Sequence, residues 1–448
     1  MPITVCMLAS GVLAVFPADA GTQAELDALR EELRAIRAQR EGAWLDEARA
    51  AEVRALVHDV LADAGTRASF RADSPAFGYD EGFVIRSGDG SMLLRVNMLG
   101  QARFVWNNNW QPTGSQPPAA VPDTGSNRND QNTWGMETRR AQLYVSGHVM
   151  DPSVEYMLGV AYDTQPDPYF LLQNAYGMVY LYVRKNFGEG FTATLGRQNA
   201  PFTVESTLFN AGNTQMGEYS IFEYRAGLGQ QTGLNLAWTG DQVRWQGGWF
   251  NDVARIPGNI AQWDSLFNAG VALASRLEWK PAGTWRQFAD ESSYRGEEFG
   301  LVLGGGVAWA TGRAQNRLIG VDVAEFAATG DVRVDFGGAN LIGQVFWQDD
   351  VLGTEDQWGL NLQGGVFLAD AVEAFGALSW FDVADPKWFV QAGGNWYLDP
   401  SHKLKVTVMG ILPLGGETVG APAPSLTGTG VSDVANNFSV LAQIQVMF

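Results

Sequence analysis

The sequence predicts an all-β transmembrane fold: a 16-stranded antiparallel up-and-down barrel with an N-terminal helical or coiled-coil segment. Three observations predict it. From residue 82 onward, segments of about ten residues alternate apolar and polar with a period of two. The connections between these segments are short and long by turns. One face of each segment is apolar and the other carries charge, the reverse of a strand that backs onto a dry core.

Bulk composition agrees. A chain of 448 residues accommodates one large closed sheet, and 53 Gly, 16 Trp, 24 Phe and 12 Tyr suit many strands, tight turns and aromatic girdles. After the first twenty residues no apolar run approaches the roughly 18 residues that a membrane-crossing helix requires, which excludes a helical membrane protein. The net charge is −19, and Lys185, Lys280, Lys387, Lys403 and Lys405 are the only lysines, so no basic face is available for nucleic acid.

Residues 1–20, MPITVCMLASGVLAVFPADA, form an apolar stretch closing on Ala18-Asp19-Ala20, the small-residue pattern of a signal peptide, although no Lys or Arg precedes it. Its Cys6 is the only cysteine, so the mature chain has neither a disulfide framework nor a thiol metal site. Residues 21–64 read as a helical coiled coil: Leu26, Leu29, Leu33 and Ile36 fall on the a and d positions of a short heptad seam. A second amphipathic stretch carries Val53, Leu56, Val57, Val60 and Leu61. Residues 65–81 read as a linker and 82–448 as the barrel.

The expected strands lie near 92–105, 137–149, 153–163, 172–184, 190–198, 231–239, 242–250, 270–280, 298–309, 331–337, 340–348, 357–368, 371–382, 389–398, 402–410 and 436–448. Alternate connections, such as TGDQ at 239 and LAD at 368, are tight, and most of the others are long. Outer-membrane barrels sort their loops in this way, with short periplasmic turns and long external loops. Residues 281–297, PAGTWRQFADESSYRGE, break the pattern on the short side.

Face by face, Ala141, Leu143, Val145 and Val149 oppose Arg140, Gln142, Tyr144, Ser146 and His148, and Leu273, Leu277 and Trp279 oppose Arg276, Glu278 and Lys280. Ions left unpaired in a dry core cost several kcal/mol each, so the charged inner face is expected to be wet. The last strand, NNFSVLAQIQVMF, puts Asn437, Ser439, Gln443 and Gln445 on that face, toward pore water.

Neither a catalytic constellation nor a cofactor or metal motif stands out. His58, His148 and His402 lack a second His at ligand spacing. Ser146 and His148 share a strand face but have no positioned third group. GLVLGGGVAWA, residues 300–310, lacks the lysine and following helix of a phosphate loop and reads as small residues packed in a curved strand. The informative connection is 199–230, too apolar for a free external loop. Folded into the lumen, it brings Glu205, Glu218, Glu223 and Arg225 to a pore constriction, opposite Arg95, Arg103, Arg140, Arg197 and Arg276 on the wall.

GYDEGFVIRSGDGSMLLRVNMLGQARFVW, ETRRAQLYVSGHVMDPSVEYMLGVAYD and GFTATLGRQNAPFTVEST resemble successive signatures of the phosphate-selective porin O/P family, and the likeness runs over residues 78–448. The resemblance implies a trimeric outer-membrane barrel whose third external loop enters the pore. It also implies that a terminal Phe448 is read by the outer-membrane assembly machinery. The scarcity of lysine departs from family members that take phosphate.

The expected function is an outer-membrane porin: a water-filled channel for passive diffusion of small hydrophilic solutes or ions, with membrane lipid around it and the coil in the periplasm. The alternative is a structural tether that reaches the cell wall through the coil. A hydrolase built on Ser146 and His148 is a third reading.

Overall fold

The computed structural model describes residues 20–43, 76–108, 132–163, 175–251, 271–311, 325–349, 356–382, 387–414 and 437–448. The chain divides into two compact units, 1–74 and 75–448. In the first, a helix α1 spans Ala20–Ala43, and Leu29, Leu33 and Ile36 on it are exposed. The expected signal peptide, residues 1–20, lies outside the described residues except for Ala20, and so does the second amphipathic stretch, with His58.

The second unit opens with a hairpin, β1 (Ala76–Tyr79) and β2 (Phe83–Arg86). Sixteen longer strands follow: β3 (Leu93–Asn108), β4 (Asn132–Val149), β5 (Asp151–Asp163), β6 (Ala175–Gly188), β7 (Phe191–Asn199), β8 (Gln230–Thr239), β9 (Val243–Phe250) and β10 (Val271–Ala282). Then come β11 (Gly300–Thr311), β12 (Glu325–Asp335), β13 (Ala339–Gln348), β14 (Gln357–Ala369), β15 (Val372–Asp382), β16 (Lys387–Tyr397), β17 (Leu404–Leu414) and β18 (Phe438–Met447). Each pairs antiparallel with the next, and β18 pairs with β3 from Phe438↔Asn108 to Met447↔Leu99, which closes the barrel. Every expected strand is present, although β12 begins at Glu325, six residues before its expected start.

The seam is finished by Phe448. Phe448 and Met98 exchange backbone hydrogen bonds of 2.9 and 3.1 Å, and the Phe448 ring meets Phe83 edge-on at 5.7 Å. Below that point β2 takes over the edge of β3, with Phe83 opposite Val96.

Strand alternation sorts the faces as the sequence predicts. Val440, Ala442, Ile444 and Val446 are exposed outward, while Ser439, Gln443 and Gln445 are buried inward. Outward aromatics gather at the two ends. Trp134, Trp249, Trp309, Trp358 and Trp388 lie toward the long connections, and Phe191, Trp279, Phe299, Phe336 and Trp396 toward the short turns, the girdle pattern of a membrane barrel.

The inside corrects one expectation. It is not a uniformly wet polar wall, because much of it is covered by chain. Asn437, Ser439, Gln443 and Gln445, read as facing pore water, are at most 1% exposed, and Gln445 donates to Gly212 O at 3.0 Å. Inward Phe250, Phe346, Phe381, Phe389, Met409 and Ile411 form an apolar cluster with Phe202, Met216, Ile221, Phe222 and Leu228 of the β7–β8 connection. Each such side chain contributes about 1.5–3 kcal/mol by leaving water. The loop is therefore held by a dry contact as well as by charge.

Candidate functional site

The site is the β7–β8 loop, residues 200–229, and the wall it meets. Most of its side chains are buried, while Ser206, Thr207, Phe209, Asn213, Tyr219, Glu223, Tyr224 and Arg225 keep accessible surface. The chain here cannot run as a strand, because two 3-10 turns (Glu205–Thr207 and Ala211–Asn213) and a short helix α2 (Ile221–Ala226) fold it on itself. Ser220 starts α2: its hydroxyl accepts from Glu223 N at 3.0 Å, an N-cap that uses one of the helix's free donors.

At one side of the lumen Glu218 meets three arginines. Arg103 Nη1 donates to its carboxylate at 2.9 Å and Arg139 Nε at 2.6 Å, and Arg140 Nη2 bonds the other oxygen. Arg139 also reaches Tyr224 Oη at 3.0 Å, Arg140 reaches Gln101 Oε1 at 2.8 Å and lies over the Tyr219 ring, and Arg103 pairs with Glu137. Burial disfavours the charged form of Glu218, but the charges of Arg139, Arg140 and Arg103 outweigh it and hold the carboxyl well below its ordinary range. All four side chains are buried.

Arg139 is the residue that alternation misses. Between Gln101↔Arg140 and Ala102↔Thr138 the β3–β4 ladder skips one residue. That residue is Arg139, the extra member of a β-bulge, so two consecutive arginines point inward. A strict period of two assigns Arg139 to the outer face, and the surplus residue becomes visible only once β4 is paired with β3.

Across the lumen, Arg276 is bidentate to Asp331 at 2.7 and 2.9 Å, touches Glu278 at 3.1 Å and donates to Phe202 O of the loop at 2.9 Å. The glycine run of β11 makes room for this contact. A Cβ on Gly304 would lie 2.4 Å from Arg276 Nη2, and one on Gly306 would lie 2.3 Å from Phe202 O. The run is thus a recess for the loop, which its composition alone did not disclose.

Of the other residues singled out, Glu205 is buried and bonded by Ser220 N at 3.1 Å and by the Ser220 hydroxyl. Burial, with the charges of Glu291 and Glu223, raises its carboxyl well above the ordinary value. Glu223 accepts from Thr203 Oγ1 at 2.6 Å, and Arg225 bonds Gln357. Arg95 lies on the inner face near the short turns and pairs with Asp80 at 3.1 Å. Arg197 shares the face of exposed Leu195, and its Nε donates to Met178 O at 2.7 Å, so it stands apart from the lumen group. Ser146 borders a cavity of about 880 Å³ at the short-turn end, whereas His148 Nε2 lies 3.0 Å from Gly90 O.

The irregular connection 281–297 is the second part of the site. This strap, residues 283–299 between β10 and β11, enters from the short-turn end and meets the tip of the loop. Glu291 N donates to Asn213 O at 3.0 Å, Gln215 N donates to Glu291 Oε2 at 2.8 Å, and Asn213 Nδ2 donates to Asp290 Oδ1 at 2.6 Å. Arg333 clasps the strap's carbonyls, among them Phe288 O and Glu291 O at 3.3 Å. Lys405 Nζ and Asn395 Nδ2 hold Thr214 O and Gln215 O, both at 2.7 Å. The length of the strap was legible in the sequence, but its inward course was not.

This architecture recurs in known structures. The anion-selective porin from Comamonas acidovorans superposes with a TM-score of 0.54 at 13% identity, covering 80% of this chain and all of its own. OmpF of Salmonella typhi, solved with daunomycin, superposes with a TM-score of 0.51 at 13% identity, covering 83% of this chain and all of its own. At these identities the likeness concerns the fold. No curated protein sequence matches the chain. Residues 120–353, more than half of the chain, match the family described as phosphate-selective porin O and P. With a closed sixteen-strand wall and a loop crossing its lumen, the chain belongs to the phosphate-selective porin O and P family.

Proposed function

We propose that the protein is an outer-membrane porin through which small hydrophilic solutes or ions diffuse passively, their passage set by the β7–β8 loop. The observation that carries this is a barrel apolar outside and crossed inside by a loop whose Glu218 is bound by Arg103, Arg139 and Arg140. Family membership and barrel closure support it. In this reading Glu205, Glu218, Glu223 and Arg225 belong to the constriction, and Arg95, Arg103, Arg140 and Arg276 to the wall. The arginine charge is largely spent on Glu218, Asp331 and Glu278, and the chain carries a net charge of −19, so the channel favours cations.

The exposed aromatic bands sit at the two faces of the lipid bilayer, and α1 stands in the periplasm. Three copies assemble, a reading supported by Leu29, Leu33 and Ile36 lying exposed at seam positions of α1. Phe448 serves the assembly machinery as well as the seam.

Planar-bilayer recording in a salt gradient tests this. Open steps with a cation-sided reversal potential are expected. Glu218→Ala and Glu223→Ala are expected to move that potential toward anions. An unchanged potential in both variants removes the loop from the constriction, and a silent barrel that binds cell wall through residues 21–64 favours the tether.

A further inference from the structure

Where the loop and the strap join, three buried oxygens belong to one hydrogen-bonded network and lack a donor. Glu291, Gln215 and Gln363 are 1%, 0% and 1% exposed. Glu291 Oε2 accepts from both Gln215 N and Gln363 Nε2, at 2.8 and 3.0 Å, which brings the three residues together. Gln215 Nε2 is in turn committed to Asn340 Oδ1 at 2.8 Å and Glu373 Oε1 at 2.6 Å. The remaining oxygens, Glu291 Oε1, Gln215 Oε1 and Gln363 Oε1, have no hydrogen-bond partner.

A single water molecule has two hydrogens and cannot donate to three acceptors. Asn361, whose Nδ2 is the unpartnered donor on the same strand, is two residues along, its backbone about 6.6 Å from that of Gln363. Flipping the Gln363 amide only exchanges the problem, since its oxygen would then face Glu291 Oε2. Charge points the same way. The buried carboxylates Glu291 and Glu373 share Lys405 as a basic neighbour, and Arg333, which also acts on Glu291, is itself paired with Asp335 at 3.3 Å.

We infer that Glu291, Gln215 and Gln363 hold a hard divalent cation of the calcium class, which fastens the pore loop to the strap. Carboxylate and amide oxygens are the donors such an ion takes, with water completing its shell. Two positive charges also offset the surplus of the buried carboxylates. The inference does not depend on what the channel carries.

The test uses the full chain refolded from inclusion bodies in detergent, free of lipopolysaccharide and stripped with a chelator. Calorimetric titration with calcium chloride is expected to show a site that weakens at least tenfold in both Gln363→Leu and Glu291→Gln, with heat-modifiable gel mobility reporting that the barrels are folded. Calcium is also expected to raise the unfolding temperature of the unsubstituted protein and leave that of the variants unmoved. Absence of calcium uptake by the unsubstituted protein overturns the inference, as does equal affinity in the folded variants. A calcium-independent unfolding temperature overturns it even where a variant does not fold.

Discussion

Glu218 and Glu205 sit thirteen positions apart on one loop and are driven in opposite directions. Three arginines keep Glu218 charged below the ordinary carboxyl value of 4.5, so its contribution to docking is present above the unfolded-state value and is lost as pH falls through its depressed folded value. Burial and like charges raise Glu205, so its contribution is full in acid and is lost as pH rises through its elevated folded value. The loop is expected to stay docked at pH 4.5 and to loosen on either side, far into acid and again as Glu205 gives up its proton. Single-channel noise recorded across the pH range reads this directly, and Glu205→Gln is expected to abolish only the higher-pH arm. Removing one partner of a buried ion pair costs about 3–5 kcal/mol, so Glu218→Ala is expected to loosen the loop, which the apolar cluster still holds, as well as shift selectivity.

Among the elements, β4 and the strap decide how the loop is held. Deleting Arg139 removes the surplus residue of the bulge without changing the face of any other β4 residue. The barrel is expected to assemble, and the reversal potential to move toward cations because one guanidinium has left the lumen. A selectivity identical to the parent would show that the bulge serves only the curvature of the strand. Replacing the strap by a four-residue turn removes the partners of Asn213 and Gln215, and larger, noisier conductance steps are expected. The strands themselves were legible because period-two alternation runs through most of them and the connections sort by length, and the loop was legible from its apolar content. The pairing of Glu218 was legible only as two facing sets of charge. Arg139 was hidden because a bulge is a property of two strands in register. The strap's path was hidden because its buried Gln287, Glu291, Ser292 and Ser293 are polar and carry no inward signal until Arg333 and the loop tip are seen to bind it.

For the molecule as a whole, closure rests on the last strand and the first hairpin together. Deleting Phe448 removes its backbone exchange with Met98 and its ring contact with Phe83, and the heat-modifiable, folded fraction is expected to fall while the lumen residues stay unchanged. Full recovery of that fraction would show that the seam needs only the ladder from Phe438 to Met447. The dry interior was the least legible feature at this scale. Phe346, Phe381 and Phe389 sit on strands with apolar residues on both faces, so no alternation marks them as inward until the loop supplies their partners.

The meeting of loop and strap also constrains the order in which the molecule is made. The two segments enter from opposite ends: Phe222 packs against Phe346 and Phe381 toward the long connections, and Gln215 bonds Glu291 toward the short turns. Contents joined to both ends of the lumen are expected to be placed while the wall is still an open sheet, with β18 finding β3 last. Assembly then waits on contacts between residues far apart in the chain, a slow step by nature, and the time spent as an open sheet is when the protein most needs to be shielded from its neighbours.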